Sequence, residues 1–461
     1  MRGLPLSIGT RWGRVRPAKR GYGDNFVAGS GIPCAVTERR DPTDRPRRSA
    51  DTGQLPLAER ERIEKSRVRF VLALGRGLHR YGTPAHRLEE ALAVVCGRLG
   101  LRAQIMSTPT SLMIGFGDPA DQKTALLRVD TGELDLGKLA QLDALAERVL
   151  AREIDSEAAL AQIQAIEASP PAWGRFAETA TYALTAASIA VFFGGGWRDV
   201  AAGAGVGLAL GFLALVMRRR THSQRATELV GAFAAAFAAN AIAHVARGVT
   251  PSIVTIAALI AMLPGMTLTT AMTELATRNL VSGTARMMSA VIVLLELALG
   301  VALGERLARA LWHVAAVTPV PLPGWSEWVA FVVGTVGMVI VCQAEKRALP
   351  WIMLTSLIAY ASSNFGADLL GPELGVLIGA LALGIAANLY ARFLDRPQQV
   401  VLVPAVILLV PGSMGFRGIS SLLDRNTMTG IETTFATFVV AMAIVAGLLI
   451  ANALVSPRRV L

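Results

Sequence analysis

Charge is scarce in this chain. Of 461 residues only 17% are Asp, Glu, Lys or Arg, and 53% are hydrophobic, giving a mean hydropathy of +0.48. A water-soluble domain carries about 25% charged residues. The shortage is local. Residues 1–175 hold most of the charge, and residues 176–455 form a series of apolar runs. The chain therefore reads as a polar N-terminal part joined to a polytopic membrane part. Cysteine is almost absent: Cys34, Cys96 and Cys342 lie far apart and none sits in a CxxC pair. That excludes a disulfide framework and a cysteine-held zinc site. There is no HExxH, GxSxG or P-loop, so neither a metal nor a cofactor is expected, nor ATP-driven transport by this chain alone. No apolar run follows Arg2, Arg11, Arg14 and Arg16, so no cleavable signal peptide is read.

The net charge is +11, with Arg far in excess of Lys. The surplus sits in an Arg/Pro-rich tail (Arg45, Arg47, Arg48) and in short loops between apolar runs. Arginine is expected there on the cytoplasmic side of a membrane. Nucleic acid is not an expected partner, and the preference for Arg over Lys reads as the mark of a GC-rich genome.

Residues 1–60, rich in Arg, Pro, Gly and Asp without periodicity, read as a disordered basic tail. Residues 61–170 read as a small α+β domain. A helix through Val68, Leu72 and Leu78 stops at Tyr81-Gly82. Thr83 then caps a second helix with Pro84 at its first position. Strand-like runs follow at 103–106, 111–116 and 124–129, with a turn at Asp130-Thr131-Gly132, and two amphipathic helices close the domain. Beyond Pro170-Pro171 come ten apolar segments, near 176–194, 199–217, 227–246, 252–280, 284–304, 326–343, 349–366, 373–391, 399–425 and 431–455. Several are long enough to cross about 30 Å of hydrocarbon.

The fourth and ninth segments are broken by the same element. One copy is Leu263-Pro264-Gly265, then Arg278-Asn279, then Gly283. The other, about 147 residues later, is Val410-Pro411-Gly412, then Arg425-Asn426, then Gly430. Asn240 and Asn388, each in an Ala/Gly-rich helix, also correspond. The fold class expected is thus a polytopic α-helical membrane protein. It has ten transmembrane segments as two five-helix repeats, 171–310 and 311–461, each with a Pro-Gly-broken helix. An odd number of spans per repeat makes the second copy inverted in the membrane, the usual basis of alternating access. Arg218–Arg220, Arg225, Lys346, Arg347, Arg392, Arg396, Arg458 and Arg459 fall on one side. Arg198, Arg247 and the acidic stretch 368–373 fall on the other. The N-terminal domain and the C-terminus are therefore expected in the cytoplasm.

Paired broken helices point to a substrate site. The half-helices that start near Met266 and Ser413 turn their positive dipole ends toward the breaks, which suits a carboxylate. The polar residues beyond each break are Thr267, Thr269, Thr270, Thr273 and Glu274 in one copy, and Ser413, Arg417, Ser420, Ser421 and Asp424 in the other. The candidate substrate-binding residues are Gly265, Thr267, Thr270, Glu274, Gly412, Ser413 and Arg417, with Asn240 and Asn388. The plainer reading of the breaks is a proline kink whose polar residues emerge into a loop, and of the asparagines a hydrogen bond between helices. Glu296 lies mid-segment, where a carboxylate is costly. It is the candidate carrier of a coupling proton, or else a protonated acid bonded to a neighbouring helix. Glu178 and Glu228 lie at helix starts, where the dipole accounts for them. His79, His86, Glu89 and Glu90 could be taken for an enzyme site but read as a solvated helix face.

The run Gly75–Glu90 (Gly-Arg-Gly-Leu-His-Arg-Tyr-Gly-Thr-Pro-Ala-His-Arg-Leu-Glu-Glu), Ser107-Thr108-Pro109-Thr110 and the two Pro-Gly elements resemble the threonine/serine exporter family over about residues 65–455. The resemblance implies a cytoplasmic N-terminal region followed by ten spans in a bacterial plasma membrane. It also implies proton-driven export of threonine and serine, with the membrane, protons and a small amino acid or carboxylate as partners. Some relatives split the two halves into separate subunits and are associated with dicarboxylates, which gives a second expectation, a succinate-like substrate. A reading of another class is a membrane-anchored hydrolase using the N-terminal domain. The family favours a transporter over an enzyme, and the sequence is compatible with a homo-oligomer. In the amino-acid reading the carboxylate meets the half-helix ends near Gly265 and Gly412, helped by Arg417. Glu274 or Glu296 pairs the ammonium or carries the proton, and Thr267 or Thr270 reads the hydroxyl.

Overall fold

The computed structural model describes residues 56–456 apart from 130–133, 218–225, 313–316 and 424. Nearly all of the expected basic tail lies outside the described residues. So do the Asp130-Thr131-Gly132 turn, the Arg218–Arg225 loop, Asp424, Arg458 and Arg459.

The N-terminal α+β region begins with α1 (Leu57–Arg80) and α2 (Ala85–Arg98), continues through β1 (Ala103–Thr108), β2 (Ser111–Phe116) and β3 (Lys123–Arg128), and ends in α3 (Leu136–Leu150) and α4 (Ser156–Ala168). The strands form an antiparallel sheet in the order β1-β2-β3, with Thr108 opposite Ser111 across a two-residue turn. Alternation along β2 turns Leu112 and Ile114 inward. They meet Phe70, Leu74 and Leu78, which recur every four residues on α1, and Leu88 and Leu92 on α2. Asp135 and Asp155 cap α3 and α4 by accepting from the backbone N–H groups of Lys138 and of Glu157 and Ala158.

The expected cap of α2 differs. The helix starts at Ala85, Pro84 is the capping residue, and its first turn gains no side-chain bond from it. Thr83 is buried and its hydroxyl has no hydrogen-bond partner among the described residues. Proline has no side-chain acceptor to offer, and the Ala85 N–H finds its acceptor in the membrane part.

That part holds α5 (Arg175–Phe192), α6 (Trp197–Met217), α7 (Thr227–Val245), α8 (Pro251–Leu259), α9 (Gly265–Ala276), α10 (Leu280–Leu311), α11 (Trp325–Val341), α12 (Leu349–Leu370), α13 (Pro372–Leu394), α14 (Gln399–Leu409), α15 (Gly412–Leu423) and α16 (Thr427–Leu454). The ten apolar segments all fall on these helices. Among the described residues, by length and composition, six helical stretches could cross a membrane, or seven if the bent α8–α9 pair counts as one. The lower figure has a compositional cause. Helix α11 is only 17 residues long, while α5 and α12 are interrupted by Thr, Ser and Asn. Several of these hydroxyls, such as Thr181 and Thr185, bond the carbonyl one turn back in their own helix.

Both segments are interrupted at the same element, but only the first is sharply bent, the second running as one span over Gln399–Leu423. Pro264 and Pro411 have no N–H to continue a helix, and the chain restarts at Gly265 and Gly412. In the first copy the bend between the two pieces is 54°. Each half-helix then stops on an arginine in the left-handed conformation, Arg278 (φ 66°) and Arg425 (φ 62°). The next N–H reaches back five residues, Asn279 to the Glu274 carbonyl (2.8 Å) and Asn426 to the Ser421 carbonyl (2.9 Å). This is a Schellman-type stop, so the repeated Arg-Asn pair is a helix terminator. Packing repeats too. Gly283 sits against Leu275 as Gly430 sits against Leu422, and Gly300 approaches Leu229 and Ala232 as Gly447 approaches Leu377 and Ala380.

Candidate functional site

The two breaks touch. A Cβ added to Gly265 would lie 3.3 Å from the Gly412 Cα, and one added to Gly412 would lie 3.2 Å from the Gly265 Cα. Glycine at both positions lets the backbones come this close without displacing either. The N-termini of two 12-residue half-helices thus converge on one point, each with unsatisfied N–H groups and a positive dipole end. Beside them opens a cavity of about 1150 Å³.

Gly265, Thr267 and Thr270 of the first half-helix and Gly412 and Ser413 of the second lie together on its wall. Phe193, Phe331 and Tyr360 form an apolar flank, while Gln398, Gln399 and Asn452 are polar groups elsewhere on the wall. The N-terminal region also contributes, through His79, Arg80, His86, Arg87 and Thr108–Thr110. The ionised groups are Arg80, Arg87 and Arg286, and among the described residues that line the cavity there is no Asp or Glu. Arg286 and Arg87 are paired off the wall with Glu274 (3.0 Å) and Glu90 (3.8 Å), so the half-helix ends and Arg80 are the main sources of positive potential.

Glu274 lies behind the wall and is fully buried. One carboxylate oxygen accepts the Ala85 N–H (3.0 Å), the other accepts the Ser282 hydroxyl (2.8 Å), and the Arg286 Nε lies 3.0 Å away. Arg417 stands apart from the wall, with its guanidinium 4.2 Å from the centroid of the Phe193 ring, whose residue does line the cavity. Asn240 is buried and donates to the Ala236 carbonyl of its own helix (2.8 Å). Asn388 donates to the Asn452 side chain (3.0 Å) and to the Val455 carbonyl (2.7 Å), joining α13 to the end of α16. Glu296 borders a separate shallow cleft with Glu228. That cleft shares Ala285 and Ser289 with the cavity wall.

His79 and His86 are not on a solvated face. His79 is 3% exposed, and its Nε2 lies 2.7 Å from the Thr108 carbonyl, so that nitrogen carries the proton and donates. Burial lowers the His79 pKa, with the Thr108 bond opposing part of the shift. Burial, helped by Arg87, pushes His86 down to about 4. Both rings are neutral near pH 7. Arg286 is the principal site residue absent from the sequence-based candidates. Its signal was legible, a single arginine within the apolar run of α10, where an ionisable group marks function by default.

Residues 69–308, just over half of the chain, match the family described as "Putative threonine/serine exporter", and residues 327–454 match the family described as "Threonine/Serine exporter, ThrE". The chain belongs to the threonine/serine exporter family. Its apolar helices and its relatives mark it as a multi-pass membrane protein. It is also similar to fungal proteins named "Pheromone-regulated membrane protein 10". The protein from Eremothecium gossypii is 26% identical over 85% of this chain and 56% of its own length. That from Saccharomyces cerevisiae is 26% identical over 80% and 50%. That from Candida albicans is 28% identical over 78% and 33%. The chain spans about half the length, or less, of these relatives. No solved structure matches it.

Proposed function

We propose that this member of the family is a secondary exporter of small carboxylate-bearing metabolites, with threonine and serine as first candidates. It works by alternating access across the plasma membrane of a bacterial cell. The observation that carries this is the meeting of two half-helix N-termini at Gly265 and Gly412 on the wall of one cavity. Such ends favour an anionic group by up to about 2 kcal/mol when partly buried. Arg286 adds a guanidinium suited to a carboxylate, and Thr267, Thr270 and Ser413 supply hydroxyls to read a substrate hydroxyl. The matched breaks, stops and glycine packing support two inverted five-helix repeats and ten spans. The Arg-rich loops support a cytoplasmic N-terminal domain. Glu296, beside the cavity wall with Glu228, is the proposed carrier of the coupling proton.

A second reading, a dicarboxylate substrate, is favoured by a wall without carboxylates of its own, on which Arg80 stands beside Arg87 and Arg286, the latter two paired with Glu90 and Glu274 off the wall. An amino acid would have to place its ammonium on hydroxyl, amide or carbonyl oxygens instead. Efflux of labelled threonine and of labelled succinate from loaded membrane vesicles, with and without a protonophore, tests both. Threonine efflux that collapses with the proton gradient, and that Glu296→Gln uncouples, is the expected result. Efflux of succinate alone replaces the amino acid as substrate, and efflux of neither removes the transport reading.

A further inference from the structure

We infer that the N-terminal α+β domain is the inner gate of the cavity and that Glu274 is its latch, an inference that rests on the transport reading above. Among the described residues, hydrogen bonds join the domain to the membrane helices at two places of different character, beside packing of α3 on α14 and of β1 on α10. At one, the α3 N-terminus and the segment after α4 bond to residues 342–344, just past the end of α11. Leu136 N–H donates to the Cys342 carbonyl (3.0 Å) and Gly137 N–H to the Gln343 carbonyl (3.2 Å). Trp173 donates its backbone N–H to the Gln343 side chain (2.9 Å) and its indole N–H to the Ala344 carbonyl (2.8 Å). At the other, the first N–H of α2 is taken by the carboxylate of Glu274, 189 residues further along the chain. A group of four bonds makes a hinge. A bond to one ionised side chain, which Ser282 and Arg286 hold in place, makes a latch. On the domain side the cavity is walled by His79, Arg80, Pro84, His86 and Arg87. Lifting α2 away would open that wall.

The latch is coupled to the substrate site through one rigid element. Thr267, Thr270 and Glu274 recur at spacings of three and four along α9, so they share a helix face. Seven residues separate Thr267 from Glu274, about 10 Å of helix. A substrate that draws the N-terminus of α9 toward itself moves the carboxylate at its other end relative to Ala85. The Pro264 break is the joint about which α9 turns.

The test uses the full chain in inside-out membrane vesicles, with Cys34, Cys96 and Cys342 replaced by Ala and Ser413→Cys as reporter in the cavity wall. A membrane-impermeant maleimide is added on the side of the domain. Ala85→Pro removes the donor of the latch. Proline is well tolerated at the first position of a helix, and extended Pro84 (ψ 151°) suits a residue before proline, so α2 persists. Glu274→Gln weakens the latch from the membrane side. Loss of a hydrogen bond to a charged group shifts an opening equilibrium by about tenfold or more. Ala85→Pro is expected to label at least about tenfold faster than its parent, and Glu274→Gln, whose amide oxygen still accepts from Ala85 without the charge, faster by a smaller factor. Labelling of correctly folded Ala85→Pro at the parental rate overturns the gate. The readout does not depend on transport, so a chain that carries neither threonine nor succinate would remove the transport reading and leave this result standing.

Discussion

Glu274 and Arg286 are worth more as a pair than either is alone. Burying a carboxylate without its counter-ion costs about 3–5 kcal/mol, whereas replacing both partners by neutral groups is often close to neutral. Glu274 is fully buried and Arg286 is 19% exposed. Arg286→Met is therefore expected to destabilise the protein by about 3 kcal/mol, read as a lower melting temperature in detergent. Glu274→Gln combined with Arg286→Met should recover much of that loss, because the Gln oxygen still accepts from Ala85 and Ser282 without a charge to neutralise. Equal loss in the single and double variants would show that Arg286 stabilises through packing alone. The sequence carried the cost of both residues, since each is a charge in an apolar stretch, but not their pairing. The partners lie twelve residues apart on two helices, and the turn at Arg278 that brings them together follows from backbone geometry and not from any residue pattern.

At the scale of the element, the duplicated Pro-Gly breaks were legible because proline and glycine act locally. A missing N–H and a missing Cβ have the same consequence wherever they fall. What the pattern could not convey is that the two breaks touch, which depends on how the halves pack. That contact sets an expectation for Gly265→Ala. The added methyl would lie 2.4 Å from the Val410 Cγ1 and 3.3 Å from the Gly412 Cα, and forced overpacking of this kind costs about 1–3 kcal/mol. The nearer obstruction is a side chain, so Val410→Ala should restore part of the stability and of the efflux that Gly265→Ala removes. A double variant no better than Gly265→Ala would place the strain in the backbone approach to Gly412. The asparagines show the other limit of pattern. Asn240 and Asn388 correspond in sequence, yet one bonds its own helix and the other joins two helices, because only Asn388 has the end of α16 beside it.

For the molecule as a whole, the face between the N-terminal domain and the membrane helices holds two imidazoles that burial keeps neutral. Sequence pattern alone puts His79 and His86 in solvent because α1 and α2, taken singly, look amphipathic. The polar side of each faces a second body that no local pattern announces. This placement makes docking depend on pH. His86 titrates near 4 in the folded protein against an ordinary value of 6.5, and the His79 pKa is also lowered. A depressed histidine contributes stability that is complete above about pH 6.5 and is lost as the pH falls toward the folded value, since the undocked or unfolded chain takes up the proton first. The surroundings deepen the effect. Arg87 opposes a charge on His86, Arg286 opposes one on His79, and Arg80 lines the same cavity, while Glu274 favours a charge on His79 more weakly. Maleimide labelling of the Ser413→Cys reporter should be slow and constant from pH 8 to about 6.5, once corrected for the thiolate fraction with an exposed control thiol. It should then accelerate as the pH is lowered to about 4.5. His79→Gln with His86→Gln should flatten the corrected profile without raising the rate at pH 7.5. An acceleration that survives in the double variant would mean that other groups hold the domain on the membrane helices.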